Sequence, residues 1–181
     1  YAEQPLLILS LRPSGFAFWP GVIAALIAGS AYFVVRALDP VKMGAAFAVG
    51  ALAAGSILNL SQYLTGATLG TLTESPFALP YYGEPRHPVA LYRMAGLLVI
   101  LIAVLIWSDA RRPLRTIWMV GLGVSLVHLI SDAFLASGAF IGDFRTSQVV
   151  AFAGALIFSL LLAREARDTP QDTGAPAEEA D

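Results

Sequence analysis

The feature that constrains this chain most is the recurrence of long apolar stretches, each close to the roughly 20 residues a helix needs to cross a hydrocarbon core. Five are present, at 16–38, 43–64, 89–108, 115–137 and 146–163. They account for a composition that is 57% hydrophobic and 13% charged, about half the charge of an ordinary soluble domain, which carries roughly 25%. Lipid is therefore the solvent for most of the chain. Helix is the conformation each stretch requires, because an open strand edge in hydrocarbon leaves backbone N–H and C=O groups unsatisfied. Nothing alternates in the ten-residue units of a membrane barrel. The expected fold class is an all-α, polytopic membrane bundle of about five transmembrane helices, occupying residues 1–167.

Orientation follows from the basic residues. Arg12, Arg86 and Arg145 fall on one side, and Arg36, Lys42, Arg111, Arg112, Arg115, Arg164 and Arg167 on the other. The richer side is expected to be cytoplasmic, which puts the N-terminus outside and the C-terminus inside. Residues 65–88 form an outer loop rich in Gly, Pro, Thr and Tyr, longer than a simple connection needs. The tail 168–181 holds Asp168, Asp172, Glu178, Glu179 and Asp181 and is expected to be disordered and cytoplasmic. Because the chain opens on Tyr1 rather than Met, it is expected to be a fragment or a processed product. A net charge of −2 and the absence of cysteine argue against nucleic-acid binding, disulfides and thiolate-ligated zinc. No cofactor or metal is expected.

Polar side chains inside a span are costly unless they are paired or solvated, so each needs a reason. Asn59 and Gln62 stand near the exit of the second span, and Arg86, His87, Tyr92 and Arg93 where the third begins. The fourth span contains His128 and Asp132, and the fifth opens with Gln148. In the expected topology all lie in the outer half of the bilayer, so these residues are expected to line one outward-facing cavity. His128 and Asp132, four apart, share a helix face. They are either a structural pair or a proton-handling or headgroup-binding site, since a neighbouring carboxylate raises imidazole basicity. Arg86 sits where an arginine snorkels to the interface, whereas Arg93 is one turn inside and its fork suits a phosphate. The small-residue spacings Ala51 to Gly55 and Gly121 to Ser125 are expected to serve helix packing.

Gly70-Thr71-Leu72-Thr73-Glu74-Ser75-Pro76-Phe77-Ala78 followed by Pro85-Arg86-His87-Pro88-Val89-Ala90-Leu91-Tyr92 resembles the prolipoprotein diacylglyceryl transferase family, whose pattern is G-x-x-T-D-x-P-W-A and then R-H-P-x-Q-L-Y-E. Upstream, Gln62 to Gly70 lies over the family's N-F-I-N-G-E-x-x-G signature. Downstream, Leu122 to Phe134 resembles its Y-G-x-x-R-x-x-x-E-x-F helix, and Gln148 falls on the glutamine that opens its last span. The resemblance implies transfer of a diacylglyceryl group from phosphatidylglycerol to the cysteine of a lipoprotein precursor, in the outer leaflet of a bacterial inner membrane.

The chain departs from that pattern where the chemistry lies. The family's second and third spans, with a His-Gly-Gly segment, have no counterpart between Leu38 and Met43. The signature arginine is Asn59, the next asparagine Gln62 and the glutamate after the glycine Ala67. The later helix has His128 for arginine and Asp132 for glutamate, and the glutamate closing the Tyr motif is Arg93. One lost electrostatic donor of this kind costs a transferase about 3–4 kcal/mol of transition-state stabilisation. The expectation is a relative that binds an anionic phospholipid headgroup through Arg86, Arg93, Tyr92, Asn59, Gln62 and Gln148. His87, His128 and Asp132 are the candidate catalytic groups, and catalysis is impaired. The alternatives are an active transferase and a structural subunit of a membrane complex; phospholipid, a lipoprotein precursor and other membrane subunits are the expected partners.

Overall fold

A computed structural model describes residues 18–167; the expected acidic tail and Arg12 lie outside them. The chain divides into two compact units, Tyr1–Pro40 and Val41–Asp181. In the first, α1 (Phe18–Val35) carries no charged residue and is apolar apart from Ser30 and the Tyr32 hydroxyl. It closes with Leu38 N–H donating to the Phe33 carbonyl at 3.0 Å and Ala37 N–H to the Val34 carbonyl at 3.2 Å, with Ala37 at φ 51°. That is a Schellman closure with alanine where glycine is usual. Four residues separate α1 from the next helix.

The second unit carries α2 (Pro40–Thr65), α3 (Val89–Trp107), α4 (Pro113–Ser131) and α5 (Thr146–Arg167). Pro40 and Pro113 stand at the first turn of their helices, where a missing N–H costs nothing. Among the described residues, four helices are long and apolar enough to cross a membrane, the third of them running through a 3-10 turn to Phe134. The expected first span corresponds to α1.

The unit's core is a seam between α2, α3 and α4, built on Leu52, Leu97, Val104 and Val120 with Val49, Ile100, Met119 and Val127 packed against it. Most other large apolar side chains of the helices are exposed, as they should be where lipid replaces water. Close approach depends on missing side chains. A Cβ at Gly96 would sit 2.7 Å from Val127, one at Gly123 2.5 Å from Ile100, and one at Gly121 2.6 Å from Phe158. The small-residue positions read from the sequence fall on these contacts: Gly55 faces Leu97, and Ser125 faces Gly154.

The connections at one end of the bundle are more ordered than the composition of 65–88 implies. β1 (Leu79–Tyr81) and β2 (Glu84–Arg86) form an antiparallel hairpin with Leu79 opposite Arg86. Its turn holds Tyr82 at φ 52° and Gly83 at φ 83°. β3 (Phe140–Ile141) and β4 (Phe144–Arg145) form a second hairpin that runs directly into α5. Residues 69–73 lie between the two connections. His87 N–H donates to the Thr71 carbonyl at 3.0 Å, Thr71 N–H to the Phe134 carbonyl at 2.8 Å and Ala136 N–H to the Leu69 carbonyl at 2.9 Å. This backbone ladder ties the beginning of α3 to the end of α4. Gly70 is obligatory within it, because a Cβ there would lie 2.0 Å from the His87 carbonyl oxygen.

Candidate functional site

The ladder fixes His87 immediately ahead of α3, and the first turn of that helix brings Tyr92 beside it. His87 Nδ1 and the Tyr92 hydroxyl are 3.2 Å apart, and the imidazole leans on Phe134 with ring centroids separated by 4.6 Å. Together with Ser75, Phe77 and Ser131 they line a cavity of about 580 Å³ between α3, α4 and the loop. The lining is mostly apolar, so a few hydrogen-bonding groups are aimed into a space that suits acyl or aromatic matter.

A second cavity, about 690 Å³, lies between α4 and α5. Ser125, His128, Asp132, Thr146 and Ser147 supply its polar groups, while Val124, Leu135, Val150 and Phe158 supply much of its apolar surface. His128 Nδ1 lies 3.5 Å from Asp132 Oδ1, so the i,i+4 pair expected from the sequence is formed. Its imidazole remains 40% exposed, whereas the carboxylate is only 2% exposed.

The wall between the cavities is the C-terminal turn of α4, and Arg93 crosses to it from α3. Arg93 Nη2 donates to Asp132 Oδ1 at 2.5 Å and Nε to Ser131 Oγ at 3.3 Å, and Ser131 Oγ is itself 3.3 Å from Asp132 Oδ1. Arg93, read from sequence as a phosphate ligand, thus has an internal partner 39 residues away. The single cavity expected from the sequence is corrected to two. His87 and Tyr92 face one, His128 and Asp132 face the other, and the Arg93–Asp132 pair stands in between. The physical reason is that a buried carboxylate requires a cation, and Arg93 supplies it from α3 across the wall that separates the cavities.

Asn59 and Gln62 occupy other roles. The Asn59 amide donates to the Gly55 carbonyl at 2.8 Å within α2, and Gln62 Oε1 accepts from the Thr68 hydroxyl at 3.0 Å. Gln148 is partly buried in the first turn of α5. Arg86 pairs with Glu84 and donates from Nη1 to the Gly70 carbonyl at 3.2 Å; its Nε is buried without a hydrogen-bond partner. Ser131 was missed by the sequence reading, where a serine next to Asp132 carries no periodic signal. Among the described residues no three His, Cys, Asp or Glu side chains are grouped as a metal site would need.

Comparison with known proteins agrees with the resemblance in the motifs. The family model described as prolipoprotein diacylglyceryl transferase matches residues 1–164. Among curated proteins, the chain is 34% identical over 146 residues to the phosphatidylglycerol–prolipoprotein diacylglyceryl transferase of Cupriavidus metallidurans, covering 77% of this chain and 52% of that protein. It is 25% identical over 157 residues to that of Finegoldia magna, covering 84% of this chain and 62% of the relative. The chain thus spans between half and two thirds of the length of these relatives. No solved structure matches.

Proposed function

Because the chain belongs to the prolipoprotein diacylglyceryl transferase family, we propose that it holds an anionic phospholipid headgroup at the polar end of its bundle without transferring the diacylglyceryl group efficiently. The observation that carries this reading is the Arg93–Asp132 pair. Two of the side chains that replace family residues satisfy each other, so neither is free to act on a substrate. Transfer to a thiol needs a base for the nucleophile and cations that bind the departing phosphate more tightly in the transition state than in the bound lipid. A guanidinium already paired with a buried carboxylate supplies little of that difference.

Binding asks for less. A headgroup phosphate approaching the α4–α5 cavity meets the exposed imidazole of His128 and the hydroxyls of Thr146 and Ser147. On the α3 side, His87, Tyr92 and Ser75 present donors to the other cavity. Asn59 and Gln62 are hydrogen-bonded within the chain, and the proposal does not use them. The expected polarity, with this end outside and the C-terminus cytoplasmic, is part of the proposal and rests on the distribution of Lys and Arg.

The test is a transfer assay with phosphatidylglycerol and a lipobox-containing peptide, alongside a binding measurement with the same lipid and with a neutral diacylglycerol. Selective retention of phosphatidylglycerol with transfer at background supports the proposal. Robust modification of the peptide cysteine establishes the second reading, an active transferase. The activity printed for the curated relatives favours that alternative.

A further inference from the structure

The six-residue hairpin Phe140–Arg145 that precedes α5 exposes more large apolar surface than a hairpin in water would tolerate. Phe140, Ile141 and Phe144 are 58%, 58% and 67% exposed. The register sorts them. Ile141 is directly opposite Phe144 and Phe140 opposite Arg145, and directly opposed residues share a face of the ribbon. One face therefore carries Ile141 and Phe144 alone. On the other, the Arg145 guanidinium covers the Phe140 ring at 4.9 Å and donates to the Ser137 carbonyl at 3.3 Å.

We infer that this hairpin lies face down on the phospholipid surface, with Ile141 and Phe144 sunk into the boundary between headgroups and acyl chains. The occupant is settled by continuity with the surface on either side. β4 passes without a break into Thr146, the first residue of a membrane-spanning helix, and Thr146 N–H is bonded back to the Ala139 carbonyl at 2.9 Å. The hairpin stem is therefore held at the level where α5 leaves the hydrocarbon. Exposed Val149, Phe152 and Leu156 continue the apolar surface down α5. The arrangement resembles an interfacial amphipathic element, with apolar groups down and a cation at headgroup height.

Asp143 decides the pose. It occupies the turn with Gly142, so a hairpin plunging tip first would carry its carboxylate into hydrocarbon, which is expensive. Lying flat keeps Asp143 hydrated at the rim while Ile141 and Phe144 are covered. With Asp143 and Arg145 offsetting each other, anchoring is driven by apolar burial and does not select anionic lipid.

The chain has no cysteine, so Ile141→Cys, Asp143→Cys and Phe144→Cys each provide one labelling site for an environment-sensitive fluorophore. The full chain is reconstituted in phosphatidylcholine vesicles, with and without phosphatidylcholine bearing a doxyl group near the headgroup. Expected are blue-shifted emission and strong doxyl quenching at 141 and 144, with iodide quenching there several-fold weaker than at 143. Iodide access at 141 and 144 equal to that at 143 overturns the inference. So does protection from iodide without doxyl quenching, the signature of burial against protein. If Phe144→Cys fails to fold, Ile141→Cys reports on the same face.

Discussion

Arg93 on α3 and Asp132 at the end of α4 are joined at 2.5 Å, with the carboxylate 2% exposed and the guanidinium 13% exposed. Such a pair is weak evidence of net stabilisation but strong evidence of dependence, because removing one partner strands the other. Arg93→Ala is expected to destabilise the protein by about 3–5 kcal/mol, and Arg93→Met combined with Asp132→Leu to recover most of that loss. Reversible unfolding of the detergent-solubilised protein measures both. Additive losses in the double variant would show that the two side chains act independently.

A second prediction separates close helix contact from helix propensity. At Gly96 a methyl group meets Val127 at 2.7 Å, while at Gly50 nothing lies within 4 Å. Gly96→Ala is expected to cost about 1–3 kcal/mol through overpacking. Gly50→Ala should be neutral or stabilising by up to about 1 kcal/mol, the intrinsic helical preference for alanine. The same unfolding assay ranks them, and equal effects would contradict the α3–α4 contact.

The hairpin of the long loop provides a pH-dependent prediction. Burial, and then the proximity of Tyr63 and Tyr82, push the Tyr81 phenol above its ordinary value of 10.0, and its hydroxyl donates to the Tyr63 carbonyl. A group whose folded-state pKa is raised contributes stability that is complete below the unfolded value and is lost as pH climbs toward the folded one. Stability is therefore expected to be flat on this account below about pH 10 and to fall above it. Tyr81→Phe should remove that alkaline dependence, as read by ultraviolet difference titration together with unfolding. An unchanged alkaline limb in the variant would assign it to another group.

Lipid retention should divide the polar residues by commitment. His128 is 40% exposed and faces the α4–α5 cavity, so His128→Gln is expected to weaken phosphatidylglycerol binding about tenfold, equivalent to roughly 1.4 kcal/mol, with little loss of stability. Asn59→Ala should leave lipid binding unchanged, since that amide is used within α2. Native mass spectrometry of the detergent-solubilised protein with titrated lipid reads both constants. A large lipid effect from Asn59→Ala would restore it to the site.

The spans were legible because hydrophobicity over about 20 residues is a local property. The His128–Asp132 pair was legible because i,i+4 spacing on a helix is local as well. The role of Arg93 was not, since its partner is on another helix and only packing brings the two together. Asn59 looked like a site residue because a polar group in a span demands a partner, but a carbonyl one turn back satisfies it as well as a ligand would. The hairpins escaped notice because their strands are two or three residues long, and the isolated bridges near them, Leu72 to Arg86 and Gly70 to Leu135, join segments with no shared sequence pattern.

The ladder through residues 69–73 is made almost wholly of main-chain groups, so it does not depend on which side chains flank it; apart from the glycine at 70, its hydrogen bonds survive substitution. Such a joint leaves the neighbouring positions open to drift. Arginine, glutamate and asparagine can be exchanged for histidine, aspartate and glutamine around it while α3 and α4 keep their registration. The registration of α3 against α4 is thus carried by the backbone at this joint, independently of the side chains that surround it.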